Sequence, residues 1–540
     1  MFKKSIQFSA FVFLLAISTS VFAQKKATNK PNILFIAVDD LKPLLGCYGN
    51  TLVKSPNIDR LAKMATVFNR NYCQQAICGP TRASLMTGTR PDVTQVWNLT
   101  TQMRDVNPDL VTIPQYLITQ GYTTSGIGKI YHPSSAINGV DPVSWSIPYL
   151  KSKESDFPAE LGLPANGQYQ LPETKERMTP DIIAERKKQN KDLVANDENP
   201  KSIKGPSTEC MDLPDNAYQD GVNALLARDQ IIALSKSDKP FFMAVGFSKP
   251  HLPFVAPKKY WDLYNREDMP IASFQEHSKN GPLLAYHQSG ELRNYIDIPE
   301  FATLPADSLR IGLKLEKQKE LIHGYYAAIS YMDAQVGVLL NTLESLGTLD
   351  NTIIVLWGDH GWHLGDHDLW HKHTNFEEAT RAPLIVAGPG IKAGKTSSLT
   401  EFVDVFPTIC DLAGVAIPKN LDGKSLKPLM INNKKIAKNY SISQYPRKLK
   451  KAEMVKAGYT DPKIMGYSLR TDNYRYTIWM NNFTSKQSFN EAQVYASELY
   501  DYVKDPLEKV NVVNDANYTA TSKELKLKMI AFFKSQEDKK

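Results

Sequence analysis

A cysteine at the start of a predicted short helix has the most distinctive chemistry in this sequence. Cys78 opens the run Cys-Gly-Pro-Thr-Arg, and Gly88 marks the expected end of the helix. Backbone N–H groups and the helix dipole at such a position favour anions, and Arg82 adds a positive charge. The run therefore predicts a reactive group beside a bound anion. The alternative is a buried structural cysteine, because free cysteines are among the most buried residues.

Three carboxylates follow predicted strands and could share one cation. Asp39 and Asp40 end one apolar run, and Asp359 with His360 follows another. Adjacent strand residues point to opposite faces, so the two neighbouring aspartates reach one ion only where the strand ends and the chain bends. Because converging buried carboxylates repel each other, the set predicts a hard cation, Ca²⁺ before Mg²⁺. A solvated turn is the alternative for the aspartate pair, and an orienting role is the alternative for His360.

Two further predicted strand ends carry a lysine and a histidine. Lys129 precedes His132, and Lys249 precedes His251; Lys372 lies in a later loop. Such residues provide cations for the oxygens of an anionic ester, an acid for the leaving alcohol and a base for turnover. The alternatives are structural histidines and an exposed surface lysine at position 372.

Five of the ten histidines fall within residues 360–373, which raises the question of a zinc site. These are His360, His363, His367, His371 and His373. Few of them share helical spacing, and Gly361 and Gly365 favour a loop. The pattern therefore favours loop polarity over zinc.

The elements that would position these residues alternate between strands and helices, which predicts an α/β fold with a mostly parallel sheet between helices. Beyond the strands that precede the aspartates, strands are predicted at Thr123–Lys129, Pro240–Phe247 and Pro383–Ala387. Helices are predicted at Pro56–Phe68, Asn216–Lys236 and Leu309–Leu346. Ligands of such sheets gather beyond the carboxyl ends of the strands.

The pattern changes after about residue 435. Two runs around a turn at Asp472-Asn473 predict a hairpin, a further strand is expected near residues 498–501, and a helix is expected at residues 522–533. We therefore predict a catalytic domain at residues 24–435 and a small antiparallel α+β subdomain at residues 436–540. The polar, lysine-rich stretch at residues 174–204 is expected to be a surface insertion.

Composition and the first residues indicate an exported globular protein. The chain has 540 residues, of which 42% are hydrophobic, and residues 1–23 have the basic start, apolar centre and small final residue of a cleavable secretion signal. No later run is long and apolar enough to predict a membrane span. The formal net charge of +7 suits a polyanionic substrate but is too small to indicate nucleic acid. We expect a periplasmic or secreted location.

The Cys78 run resembles the C-x-P-S/T-R-x-x-x-x-T-G signature of type I sulfatases. Further segments are similar to iduronate-2-sulfatase and its bacterial relatives: Val38–Pro43, Ser55–Asp59, the Lys129/His132 spacing, Lys249–His251, Asp359–Trp362, Ser443–Arg447 and Lys463–Ser468. Departures from that pattern include Thr81 for the commoner serine, and three histidines at positions 363, 371 and 373.

The resemblance implies an alkaline-phosphatase-like (sulfatase) fold and a hydrolase acting on a sulfated oligosaccharide. It implies that a maturation enzyme converts Cys78 to formylglycine, whose hydrate attacks sulfur. The implied metal ligands are Asp39, Asp40, Asp359, His360 and the modified Cys78. The implied sulfate contacts are Arg82, Lys129 and Lys372, with His251 as acid, His132 as base, and Trp362 and Lys463 at the substrate.

Three functions stay open at this point. The first is an exo-acting carbohydrate sulfatase whose substrate is a uronate 2-sulfate or an algal polysaccharide such as ulvan. The second is a phosphoester or phosphonate hydrolase of the same superfamily, since the metal and the aldehyde also suit phosphorus. The third is a protein that binds sulfated glycans without catalysis, and the complete set of acid, base and metal ligands counts against it.

Overall fold

A computed structural model describes residues 30–179, 205–298, 309–450, 463–481 and 489–537. From Pro31 onward the chain forms one compact unit. The predicted secretion signal lies outside the described residues, as does most of the predicted insertion, apart from a short helix up to Arg177. The domain boundary between residues 435 and 436 stays a prediction. Within the described residues, no helix combines the length and the apolar character needed to cross a membrane.

The described strands fall into two larger sheets and two small ribbons. The strands are β1 Asn32–Val38, β2 Ala65–Tyr72, β3 Thr123–Gly128, β4 Thr208–Met211, β5 Phe241–Phe247, β6 Phe254–Pro257, β7 Thr352–Gly358, β8 His363–Leu364, β9 Trp370–His371, β10 Leu384–Ala387, β11 Gly394–Glu401, β12 Ser441–Lys448, β13 Lys463–Arg470, β14 Tyr474–Asn481 and β15 Val494–Asp501.

The described α-helices range from single turns to one helix that spans the domain. They are α1 Pro56–Ala62, α2 Cys78–Thr87, α3 Pro91–Thr94, α4 Met103–Val106, α5 Ile113–Thr119, α6 Pro172–Arg177, α7 Gln219–Leu234, α8 Lys258–Trp261, α9 Leu315–Ser345, α10 Glu377–Thr380, α11 Val405–Leu412, α12 Lys427–Ile431 and α13 Thr519–Glu537.

The central sheet has seven strands in the order β11-β2-β10-β7-β1-β5-β3. Only β10 runs antiparallel to its neighbours, so the prediction of a mostly parallel sheet is confirmed. Strand β1 lies between β7 and β5 and is parallel to both. The carboxyl ends of β1, β3, β5 and β7 therefore meet at one edge of the sheet.

Both faces of the central sheet are covered by apolar cores. In β1, Leu34 and Ile36 belong to one buried cluster, and Ile33 and Phe35 belong to another on the opposite face. The long helix α9 packs in the first cluster, and α2 packs in the second. Burial on both faces explains why β1 reads as a continuous apolar run.

One helix prediction was wrong in its second half. The helix expected over residues 56–68 ends at Ala62, and residues from Ala65 onward form β2. Pairing of β2 with β10 and β11 outweighs the helical periodicity, because Thr66, Val67 and Phe68 are β-branched or aromatic. Six other strands of the described residues were not predicted: β4, β6, β8, β9, β11 and β12. The stretch Leu309–Leu346, expected to be helical for much of its length, is helical over Leu315–Ser345.

The second sheet is fully antiparallel, with strand order β12-β13-β14-β15. Helix α13 packs on it through Met529 and Phe532, among others, in a separate apolar cluster. The predicted hairpin, final strand and final helix are all present. The expected small antiparallel α+β region after the large sheet is therefore confirmed.

Candidate active site

The aspartates after β1 and β7 lie side by side where the two strands end. The Asp359 N–H donates to the Val38 carbonyl at 3.2 Å, so the ladder continues past the last paired residues. Asp40 adopts a left-handed turn with φ of 58°, and its N–H donates to Asp359 Oδ1 at 3.0 Å. This bend lets Asp39 and Asp40 face one centre. We call Asp39, Asp40 and Asp359, with Cys78 and His360, the carboxylate cluster.

Arg82 holds two of these carboxylates at a fixed distance. Its Nη2 donates to Asp39 Oδ1 at 3.0 Å and its Nε donates to Asp359 Oδ2 at 2.9 Å. Its Nη1 donates to the carbonyls of Lys129 and Ile130. The guanidinium is fully buried, so its planar fork of donors is satisfied entirely by protein oxygens. Its loss would remove one cationic partner from each of these buried carboxylates, and Asp39 would keep only its ion pair with Lys129.

Two lysines complete the charge balance of the cluster. Lys129, after β3, forms an ion pair with Asp39, and Lys372 Nζ lies 3.0 Å from both carboxylate oxygens of Asp40. Burial works to raise the pKa of Asp39, but Lys129 and Arg82 outweigh it and hold that pKa well below its ordinary value. Burial raises the pKa of Asp40 to about 7, although Lys372 acts in the opposite direction.

Cys78 is the first residue of α2, whose end is capped by Gly88 in the left-handed conformation. The helix was predicted, and the Cys78 side chain at its start is buried, with only 3% exposed. The reason is that Lys129 and His360 close over it, with Sγ 3.9 Å from Lys129 Nζ and 3.5 Å from His360 Nε2. Burial raises the thiol pKa well above its ordinary value, which disfavours a thiolate nucleophile.

The donor set of the carboxylate cluster fits a hard cation. Asp40, Cys78, Asp359 and His360 each offer a ligand atom within 4.8 Å of the others. His360 Nδ1 lies 2.9 Å from the Gly361 carbonyl. A hydrogen bond there leaves the lone pair of Nε2 facing Asp40 at 3.4 Å and Asp359 at 3.6 Å. Lone pairs facing carboxylate oxygens repel unless a cation lies between them, and the oxygen-rich set suits Ca²⁺.

His251 follows β5 and reaches the same centre. Its Nδ1 lies 2.5 Å from the Leu252 carbonyl, and its Nε2 lies 3.0 Å from Glu291 Oε1 and 3.8 Å from Asp40 Oδ2. Both nearest partners are acceptors, so only an imidazole with two protons satisfies both. Burial and the Lys372 charge lower the pKa of His251, and Glu291 opposes them.

Sequence reasoning missed Glu291. Its carboxylate contacts His251 and also lies 2.9 Å from Lys372 Nζ, with only 13% of the side chain exposed. It follows no predicted strand and belongs to none of the motifs, so no signal in the sequence pointed to it.

The remaining predicted residues lie in different surroundings. His132 is half-buried; burial and the charge of Lys129 lower its pKa to about 3, so the ring is neutral near pH 7. Trp362 is 1% exposed, and its ring lies 4.9 Å below Lys372 Nζ, where it supports the lysine. Lys463 is exposed at the start of β13. Direct contact of Trp362 and Lys463 with substrate stays a prediction.

The histidine-rich segment is not the polar loop that the spacing favoured. His363, His367 and His371 are buried, and His373 is half-buried. With His287 they form a group of contacting rings that we call the histidine cluster. The short β8–β9 ribbon turns these side chains inward, since His363 lies opposite His371.

Comparison with known proteins gives consistent matches over the chain. A family model described as Sulfatase matches residues 31–415, and one described as N-sulphoglucosamine sulphohydrolase, C-terminal, matches residues 365–535. Iduronate 2-sulfatase of Mus musculus is 32% identical, with coverage of 95% of this chain and 97% of that protein. A sulfatase of Formosa agariphila is 28% identical, with coverage of 93% and 87%.

Solved structures share the fold. BT4656, in complex with its substrate D-glucosamine-2-N,6-O-disulfate, aligns with a TM-score of 0.67 at 22% identity, covering 94% of this chain and 98% of that one. The phosphonate monoester hydrolase of Agrobacterium radiobacter aligns with a TM-score of 0.66 at 22% identity, covering 94% and 96%. At this identity the likeness shows the fold alone.

Proposed function

Because the chain belongs to the sulfatase family and is a sulfuric ester hydrolase, we propose that it removes sulfate from the end of a sulfated oligosaccharide. The proposed substrate carries a uronate 2-sulfate, as the name of the similar iduronate 2-sulfatase suggests, or derives from an algal polysaccharide such as ulvan. The observation that carries the proposal is the similarity to that enzyme over 95% of this chain, at 32% identity.

We further propose that residue 78 is formylglycine and that Ca²⁺ is held by Asp39, Asp40, Asp359, His360 and residue 78, with Mg²⁺ as the less favoured ion. Ligand atoms of Asp40, Cys78, Asp359 and His360 lie within 4.8 Å of one another, and Asp39 belongs to an overlapping group that shares Asp40 and Cys78; this supports the assignment. When present, the hydrated aldehyde supplies the oxygen nucleophile, and the cation draws electron density from the sulfate oxygens.

The residues of the chain itself have separable roles in this scheme. Arg82 keeps Asp39 and Asp359 apart at a fixed spacing. Lys129 and Lys372 contact the cluster carboxylates and also lie near Cys78, so they can hold the non-bridging sulfate oxygens. Lys463 is proposed to bind a substrate carboxylate.

Two histidines would move the protons. His251 donates from Nε2 to the departing sugar oxygen, and in the free enzyme Glu291 accepts the hydrogen bond of that proton. His132 is neutral because of its lowered pKa, so it can accept a proton when sulfate is expelled from residue 78.

A phosphonate or phosphoester hydrolase is the second candidate. The fold shared with a phosphonate monoester hydrolase favours it, but the family match and the curated relatives favour sulfate.

Turnover of paired substrates tests the proposal. We expect kcat/KM for 4-nitrophenyl sulfate to exceed that for 4-nitrophenyl phosphate and a phenyl phosphonate, when the protein is made with a formylglycine-generating enzyme. Equal or faster turnover of the phosphorus substrates would support the second candidate. Binding of sulfated glycans without turnover would support a non-catalytic protein.

Defined oligosaccharides then test the sugar. A terminal 2-sulfated uronate should be desulfated, while the same residue placed internally and a 6-sulfated glucosamine serve as matched controls. Release from internal positions would contradict exo action.

The location is also a proposal. The basic and apolar residues 1–23 support export to the periplasm or medium. Cell fractionation with N-terminal sequencing of the mature protein tests it, and a cytoplasmic protein that retains residues 1–23 would contradict it.

A further inference from the structure

Two residues of the histidine cluster form a second group of metal-ligand atoms together with Glu291, which lies outside that cluster. Glu291, His371 and His373 each offer one ligand atom, and these atoms lie within 4.8 Å of one another. We propose that these three residues bind a transition-metal dication of the Zn²⁺ class, at a site separate from the carboxylate cluster.

The backbone places the two imidazoles on either side of Lys372. His371 ends β9, and the His373 N–H donates to the Ala76 carbonyl at 3.1 Å. The carbonyl of Lys372, between them, lies 2.7 Å from His287 Nε2. These contacts fix the segment from both sides. Glu291 is fixed in turn by Lys372 Nζ at 2.9 Å, so the three donors are held before any ion binds.

The ring nitrogens lack the partners that a buried histidine ordinarily has. His371 is 1% exposed, yet neither Nδ1 nor Nε2 has a hydrogen-bond partner among the described residues, and His373 Nε2 also has none. A buried polar atom without a partner has lost its hydrogen bonds to water and gained none in the fold, which is unfavourable. His287 makes the contrast clear, because both of its nitrogens have partners, the Lys372 carbonyl and the Ser289 N–H. A metal ion would use the lone pairs that His371 and His373 leave unused.

The donor types select the metal. Two neutral imidazoles and one carboxylate suit Zn²⁺ and its neighbours, whereas Ca²⁺ prefers oxygen ligands. A carboxylate has about four acceptor positions. Lys372 and His251 occupy three of these positions on Glu291. One acceptor position therefore remains for a metal ion. Three protein ligands leave a further position on the ion for water or an anion.

Occupancy of this site has a consequence that rests on the proposed function. A dication beside Glu291 competes with His251 and Lys372 for the same carboxylate. We therefore expect Zn²⁺ to lower the turnover of alkyl sulfates while Ca²⁺ stays bound.

Metal binding to the full-length protein, saturated with Ca²⁺, tests the site directly. We expect about one Zn²⁺ per chain by calorimetry, and a Co²⁺ visible spectrum of four-coordinate nitrogen and oxygen ligation. His371→Gln and His373→Gln should each weaken Zn²⁺ binding at least tenfold. His363→Gln is the matched control from the same cluster and should bind Zn²⁺ as the wild type does.

Three results would overturn the proposal: no Zn²⁺ binding by the Ca²⁺-loaded wild type, unchanged binding in both glutamine variants, or loss of binding in Cys78→Ala, which would place the ion in the carboxylate cluster. Circular dichroism and Ca²⁺ content check the fold of each variant. If a glutamine variant fails to fold, Zn²⁺ binding by the Cys78→Ala protein and the Co²⁺ spectrum of the wild type still test where the ion binds. Zinc binding without inhibition would contradict only the coupling to the proposed function.

Discussion

The carboxylate cluster and the histidine cluster are linked through Lys372 and Glu291, but they differ in how their polar atoms are satisfied. Each aspartate of the first has a cationic side chain or a backbone N–H within hydrogen-bond distance. Several ring nitrogens of the second have no partner among the described residues. Opposite charges therefore organise the carboxylate cluster even without an ion, whereas packing and backbone contacts hold the histidine cluster.

The largest effect should come from the nucleophile position. Cys78→Ala should abolish turnover of every sulfate ester while the fold is retained, because the change removes one buried sulfur atom. Activity assays with circular dichroism check this, and peptide mass spectrometry of the wild type should show the thiol replaced by an aldehyde or its hydrate. An active enzyme that carries only unmodified cysteine would refute the role of residue 78.

A carboxylate variant should separate the two clusters by metal. Asp359→Asn should lower Ca²⁺ occupancy and turnover together, the latter by about 10²–10³-fold, and should leave Zn²⁺ binding intact. Elemental analysis and calorimetry measure both ions. Asp366→Asn is the control, because that carboxylate pairs with Lys42. Full activity after exhaustive chelation would count against the metal.

Variants of His251 and Glu291, which lie between the two clusters, should change how strongly kcat/KM depends on the leaving group of the substrate. His251→Ala should reduce kcat/KM for a sugar sulfate about 10²–10⁴-fold more than for 4-nitrophenyl sulfate, since a phenolate needs little protonation. Glu291→Gln should act in the same direction with a smaller effect. Lys129→Ala should depress both substrates alike. An equal loss on both substrates for His251→Ala would leave His132 as the next acid to test.

The smallest effect concerns protonation of the histidine cluster. Burial lowers the pKa of His363 to about 3, so below pH 6.5 the unfolded chain binds a proton that the folded chain does not. The free energy of unfolding should therefore fall by about 1.4 kcal/mol per pH unit from this residue as the pH drops from 6.5 towards 3. In His363→Gln, the free energy of unfolding should fall less steeply with decreasing pH. Urea denaturation at several pH values between 7 and 4 measures this. An unchanged slope would mean that His363 is already charged in the folded state.

The carboxylate cluster was predictable because strand ends place it. Apolar runs precede Asp39, Lys129, His251 and Asp359. Parallel strands bring their carboxyl ends to one edge of the sheet, and this does not depend on the conformation of the loops. The two neighbouring aspartates can face one ion only if the chain bends after the strand, and the structure has this bend at Asp40.

The positions of Glu291 and the histidine cluster could not be predicted, because they depend on contacts between distant segments that leave no local sequence pattern. Glu291 reaches Lys372 and His251 from a segment without strand periodicity. The inward turn of His371 depends on the two-residue ribbon with His363. Strand β2 was misread as helix because its pairing partners, β10 and β11, lie more than 300 residues later.

The burial of Cys78 also sets an order of events during synthesis. An enzyme that oxidises this side chain must take the surrounding peptide into its own active site, and a residue that is 3% exposed at the base of a packed helix cannot be reached in that way. Under the proposed conversion, modification must precede folding. Folding and modification then compete in time, and a chain that folds first would be stable, correctly shaped and permanently inactive.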